Sequence, residues 1–210
     1  MSRTSRLAVL AGAGMLAGCT TTAVSFPPSL TYAPATCADG VDTVSALSLV
    51  PDKDKAIWTR DDQVSAASAC IRRGGAAVPY LVYALPPAGS ARMVEVGAVL
   101  EPTRVVSPEV VLLDEAGNET RSFARESYMF RPGLYSVQFV PAANERFALV
   151  MVDPAPIGKT HDTITLGTSS TMVYTGFGVS NWTAGNEAMM SRGFSYEGTM
   201  RALVYRAQAD

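Results

Sequence analysis

The chain has 210 residues, of which 48% are apolar and 17% charged, a balance that suits a globular fold and not a disordered one. Seventeen Lys and Arg stand against 19 Asp and Glu; without Arg3 and Arg6 of the leader the count is 15 against 19, a net charge near −4. That balance argues against nucleic acid as a partner, which needs a concentrated basic face.

The N-terminus has the layout of a secretory signal: Arg3 and Arg6, then an apolar stretch from Leu7 to Leu16, then small residues. Ten apolar residues are too few for a transmembrane helix, which needs about 20. Leu16-Ala17-Gly18-Cys19 resembles the bacterial lipobox, in which Cys19 takes diacylglycerol on its sulfur and cleavage before it frees an amine for a further acyl chain. The alternative is a plain signal peptide with a chance Cys. Several acyl chains hold a protein stably on a membrane, where one chain is marginal. Thr20 stands where an Asp would resemble an inner-membrane retention signal, so the expected location is the outer membrane, facing the periplasm. The expected organisation is a signal over 1–18, an acylated Cys with a flexible tether over 19–40, and one domain over 41–210.

The tether reading rests on Thr20–Thr36 (TTTAVSFPPSLTYAPAT), rich in Thr, Ser, Pro and Ala. Cys37 and Cys70 are the remaining cysteines, and in an oxidising compartment two cysteines read as one disulfide. Two thiols without CxxC spacing and a single His do not make a tetrahedral zinc site. No metal or cofactor is expected.

From Ala76 onward, short apolar segments alternate with turn residues. VPYLVYAL is β-branched and aromatic and stops at Pro86-Pro87-Ala88-Gly89. In ARMVEVGAVLE, Val94 and Val96 flank Glu95, as in a strand with one wet face. EVVLLD runs into EAGNET, where Gly117-Asn118 reads as a turn. LYSVQFV places Tyr135, Val137 and Phe139 on one face, with Ser136 and Gln138 on the other. RFALVMVD follows the AANE turn, and DTITLG and TMRALVYR complete the set. The spacing predicts an all-β, antiparallel β-sandwich, jelly-roll-like, with one or two short helices. Those helices are expected around DDQVSAASACIRR, ending before Gly74-Gly75, and as a short turn near NEAMMSR.

Three motifs suggest catalysis and fail on inspection. PIGKTHDT resembles the end of a P-loop, but Asp153 stands where that motif needs a Gly and the following THDTITL alternates like a strand. His161 beside Asp162 could be half of a hydrolytic dyad, yet no GxSxG occurs. Asp114 and Glu115 share one predicted hairpin turn, so they do not flank a substrate from two sides as glycoside hydrolysis requires. No enzyme emerges.

VYTGFGVSNWTAGN carries Tyr174, Phe177, Asn181, Trp182 and Asn186 beside Gly176 and Gly178. Rings beside amides suit a sugar, with ring faces against C–H groups and amides meeting hydroxyls. The other reading is that these aromatics cap one end of the sandwich core.

The order RGGAAVPYLVYALP, PEVVLLDEAGNETRSFARESYMFRPG, NERFALVMVDPAPIGKTHDTITLG and GFSYEGTMRALVY resembles the maltose-operon periplasmic protein family over most of Gly74 to Tyr205. The likeness is one of strands and turns, and the lipobox departs from members with an ordinary signal. The resemblance implies a non-enzymatic envelope lipoprotein associated with carbohydrate (maltodextrin) uptake, as a periplasmic binding or accessory module. The alternative is a structural lipoprotein that binds another envelope protein and no sugar.

Overall fold

The computed structural model describes residues 26–34, 36–53, 55–175 and 177–207; the leader and Cys19 lie outside them. The chain runs through β1 (Leu47–Ser48), β2 (Ile57–Val64), β3 (Cys70–Arg73), β4 (Ala76–Ala84), β5 (Ala91–Val99), β6 (Arg104–Val106) and β7 (Pro108–Leu113). It continues through β8 (Glu119–Ser122), β9 (Met129–Arg131), β10 (Leu134–Phe139), β11 (Phe147–Val152), β12 (Thr160–Thr175), β13 (Gly178–Ser195) and β14 (Gly198–Arg206).

Two sheets face each other. The first has the order β1-β4-β11-β7-β8 with β3 added on β4, and the second the order β2-β14-β5-β10-β9. All pairs in them are antiparallel except β1 with β4. The main core lies between the sheets. It takes Tyr83, Val110, Leu112, Ala148 and Val150 from the first and Val94, Val96, Val137, Phe139, Met200 and Ala202 from the second. The fold is the expected all-β sandwich.

The two sheets differ in how many faces they bury, and the sequence shows why. Strands β4, β7 and β11 are near-continuous apolar runs, the mark of burial on both faces. Their outer residues Val78, Tyr80, Val82, Val111, Leu113, Leu149 and Met151 form a second cluster with Ile71, covered by Val41 and Ala46. In the second sheet the period is 2, and Tyr135, Val137 and Phe139 of β10 enter the core as expected. Gly97 of β5 pairs with Ser136, and a Cβ on Gly97 would collide with Tyr135 O and Ser136 Cβ. Only glycine allows that approach.

The helix expected around DDQVSAASACIRR is absent. Its first part belongs to β2, which pairs with β14 from Ile57↔Tyr205 to Val64↔Gly198, and its last part is β3. Between them the Ser65 carbonyl accepts from Ser68 N (3.0 Å), and Ser68 Oγ accepts from Ser65 N (3.0 Å), closing a tight turn. Gly74 and Gly75 do not end a helix. With φ of 57° and 83° they form the two-residue hairpin between β3 and β4, a turn that needs positive φ at both positions. NEAMMSR is no turn either but an internal stretch of β13. The one helical element among the described residues is a 3₁₀ turn at Arg125–Ser127.

Cys37 and Cys70 form a disulfide, with Cα atoms 4.9 Å apart. It fastens the N-terminal segment to the residue that opens β3, where Ala38 N also donates to Cys70 O (3.0 Å). The expected flexible tether is docked from Phe26 onward. Ser29 N donates to Ser195 Oγ (2.9 Å), Tyr196 N donates to Ser29 O (2.9 Å), and Tyr32 stacks on Tyr196 at 5.8 Å. Phe26 lies under the Arg104 guanidinium, 5.1 Å from its ring centre, and Pro28 packs on Gly193 where a Cβ would meet Pro28 Cγ at 2.5 Å. The prolines that suggest a linker here shape a strap.

Candidate functional site

Strands β12 and β13 form a long antiparallel hairpin, paired residue by residue from Thr160↔Gly193 to Thr175↔Gly178. Sixteen residues of β12 at about 3.3 Å each make an arm about 50 Å long. Among the described residues β12 pairs with β13 alone, and β13 reaches a further strand only at Gly193–Ser195, parallel to β6. Both outer edges of the arm are therefore unpaired beyond its root.

The root is rigid. Arg192, almost fully buried, donates through Nε to Glu101 O (2.7 Å) and through Nη1 to Thr163 Oγ1 (2.9 Å). Glu101 in turn holds Arg104 (2.6 Å) and accepts from Thr199 N (2.9 Å). His161 stacks on Phe130 at 3.5 Å, and Phe130 on Tyr135 at 4.3 Å, which carries the arm's base into the core. Burial and the Arg192 charge push the His161 pKa down, against a smaller opposite effect of Asp162. His161 and Asp162 are successive residues of a strand and so point to opposite faces, and Asp162 accepts from Ser191 Oγ. They form no dyad.

Toward the apex the arm exposes large side chains. Phe177 is fully exposed and Tyr174 77% exposed, with Met172 and Val179 close behind at 63% and 61%. Tyr174 lies opposite Val179 and Met172 opposite Asn181, so these four share one face of the ribbon next to the Phe177 turn. Asn181 Oδ1 accepts from Ser170 Oγ (3.3 Å), which also bonds Thr183 Oγ1 (3.1 Å). Nearer the root Ile164 and Met189 are paired and exposed.

This placement decides part of the sugar-or-cap question. Tyr174 and Phe177 do not cap the core, because the arm carries them away from it. Trp182 occupies the register position opposite Thr171, and Asn186 the one opposite Gly167; the side chains of both lie outside the described residues. Asn186 is nine residues along the chain from Phe177, about 30 Å of strand, so the five residues do not converge on one pocket.

Clefts among the described residues open on the sandwich. One of 450 Å³ lies between Val50–Lys53, Pro86, Pro87 and Arg206, and one of 230 Å³ lies on the outer face of the second sheet around Glu95, Arg131, Gln138 and Tyr205. Glu95, expected on a wet face, points outward and is nevertheless only 3% exposed. Ser136 Oγ (2.5 Å), Gln138 Nε2 (2.9 Å) and Tyr205 OH (2.9 Å) donate to it, with Arg131 at 3.8 Å. Burial pushes its pKa up, but those hydrogen bonds and the Arg131 charge outweigh that and hold it below the usual carboxylate range. A carboxylate with its lone pairs so occupied is a structural anchor.

The three motifs excluded on sequence are now placed. Asp153–Lys159 forms turns, with Ile157 N on Pro154 O (3.1 Å) and Lys159 N on Pro156 O (2.9 Å), and leads into a strand where a P-loop needs a helix. Asp114 closes its hairpin turn by accepting from Asn118 N (2.8 Å). Comparison with family models, with curated proteins and with solved structures returned no match.

Proposed function

We propose that this chain is a non-enzymatic envelope lipoprotein, held at the periplasmic face of the outer membrane through acylated Cys19, that works by binding an envelope protein through its β12–β13 arm. The observation that carries the reading is the apex: Met172, Tyr174, Phe177 and Val179 are exposed together on a rigidly rooted arm. Large apolar groups presented this way mark an interaction surface. Unpaired strand edges beside them offer backbone hydrogen bonds to a partner strand.

A second reading keeps the carbohydrate-uptake role implied by the resemblance to the maltose-operon periplasmic proteins, with Tyr174, Phe177, Asn181, Trp182 and Asn186 meeting a maltodextrin. The exposed rings favour it; their spread along the arm, without a groove, weighs against it. One double variant separates the two. Tyr174→Ser with Phe177→Ser should lose the cross-linked envelope adducts formed by the parent protein, while calorimetry of the parent with maltodextrins shows no saturable heat. Saturable sugar binding that the double variant abolishes, with adducts unchanged, would establish the second reading instead.

A further inference from the structure

We infer that the arm's partner is the arm of another copy of this chain, joined by strand addition: the β12 edge of one copy pairs with the β13 edge of the next. The inference rests on the reading that the arm binds protein, and adds which protein.

Three observations carry it. First, the 24 residues from Thr163 to Asn186 contain no Asp, Glu, Lys or Arg, and no Pro. Exposed edges are ordinarily protected from pairing by such residues; between Asp162 and Glu187 this arm has two edges without them. Second, absence of charge is a specific advantage for pairing between identical arms. Any charge on β12 or β13 would recur on every second strand of the joined ribbon, about 10 Å away, within the range over which like charges still repel. A partner of different sequence would impose no such restriction. Third, a lone two-stranded ribbon is marginal in water, and three or more strands are needed for independent stability. A ribbon of sixteen-residue strands gains that support from neighbours of its own kind.

The strap brings the Cys19 end of the chain to the arm's root. Phe26 docks at the arm's root, its carbonyl accepting from Thr103 Oγ1 (2.5 Å), only seven residues from Cys19. Copies attached to one membrane through Cys19 therefore present their arms in the same sense. In that arrangement β12 of one copy runs antiparallel to β13 of its neighbour, because the two strands of each hairpin are themselves antiparallel. The contact is head-to-tail and repeats, and such a contact closes into a ring when the rotation permits. Ser169–Thr171 and Asn181–Ala184, near the middle of the arm, fall within the paired region.

The test uses the full-length lipidated protein in detergent, with mass measured by sedimentation, and cross-linking in the intact envelope. The parent should sediment as a multiple of the single-chain mass. Lysines at three exposed positions on one face, Ser170→Lys, Met172→Lys and Thr183→Lys together, should weaken self-association at least tenfold. Aspartates at the same three positions should do the same. Mixing the lysine and aspartate variants should restore the assembly, an outcome that loss of arm structure would not give. A parent that stays a single chain overturns the inference, as does self-association unchanged by the lysines or a mixture that fails to assemble. If the parent is a single chain while arm-dependent adducts of another mass form in the envelope, the reading of the arm as a protein-binding element stands and only the identity of its partner falls. Flotation of the parent with vesicles, dependent on the arm and without self-association, also overturns it.

Discussion

Replacing Cys37 and Cys70 together by alanine should lower stability without changing the fold, by an amount set mainly by the loop that the bond closes. The two cysteines are 33 residues apart, and a loop of that size gives about 3–4 kcal/mol in the chain-entropy account. Most of the effect lies in the unfolded chain, because the segment between the cysteines keeps its own attachments: β1 on β4 and β2 on β14. With a urea slope of about 2 kcal/mol/M, the midpoint should fall by about 1.5–2 M while the slope changes little. The assay is urea unfolding followed by circular dichroism, on the parent and the double variant, each with and without a reducing agent. Reduction should move the parent to the variant's midpoint and leave the variant where it was. A fall of less than about 0.5 M, or a further fall of the variant on reduction, would refute the reasoning.

Gly97→Ala should cost about 1–3 kcal/mol by overpacking, since its methyl group would collide with the Tyr135–Ser136 backbone of β10; an unchanged melting temperature would show that β10 can retreat freely. Glu95 titrates below its ordinary 4.5 in the folded chain, so its contribution is complete above that pH and is lost as pH falls through the folded value. Stability measured against pH should therefore drop more steeply below pH 4.5 in the parent than in Glu95→Gln, and coincident acid limbs would refute the assignment. Cys19→Ser should give an unprocessed precursor without lipid, read by mass spectrometry, and normal maturation of that variant would sink the anchor.

The sandwich was legible wherever a strand's burial left a regular signature. LYSVQFV has period 2 because one face of β10 meets the core, and VVLL and FALVMV are apolar throughout because both faces of their strands are covered. DDQVSAASACIRR reads as a helix because β2 alternates between half-buried and exposed polar residues, as in Arg60, Asp61 and Asp62, and so lacks the apolar alternation of a strand. Its partner, β14, lies about 140 residues away, where Arg201 reaches Asp61 at 2.6 Å, and no local window contains that pairing. Gly74-Gly75 suits a helix end and a hairpin equally, and only the register of β3 on β4 chooses between them.

The arm was half legible. THDTITL reads as a strand, but Gly and Asn in VYTGFGVSNWTAGN are depleted in strands, and that stretch reads as a loop. Its extended form comes from cross-strand pairing along the whole hairpin. The strap was hidden for a related reason. Pro28 and the residues around it look like a spacer until Gly193, 165 residues later, provides the flat surface on which the ring lies.

The pairing of β14 between β2 and β5 also sets a timetable. Until Gly198–Arg206 has left the ribosome, β2 has no neighbour in its own sheet, and the core between the sheets lacks Met200, Ala202 and Val204. A nascent chain at that stage carries an open core along one side of β5. The second sheet becomes continuous only when β14 seats between β2 and β5.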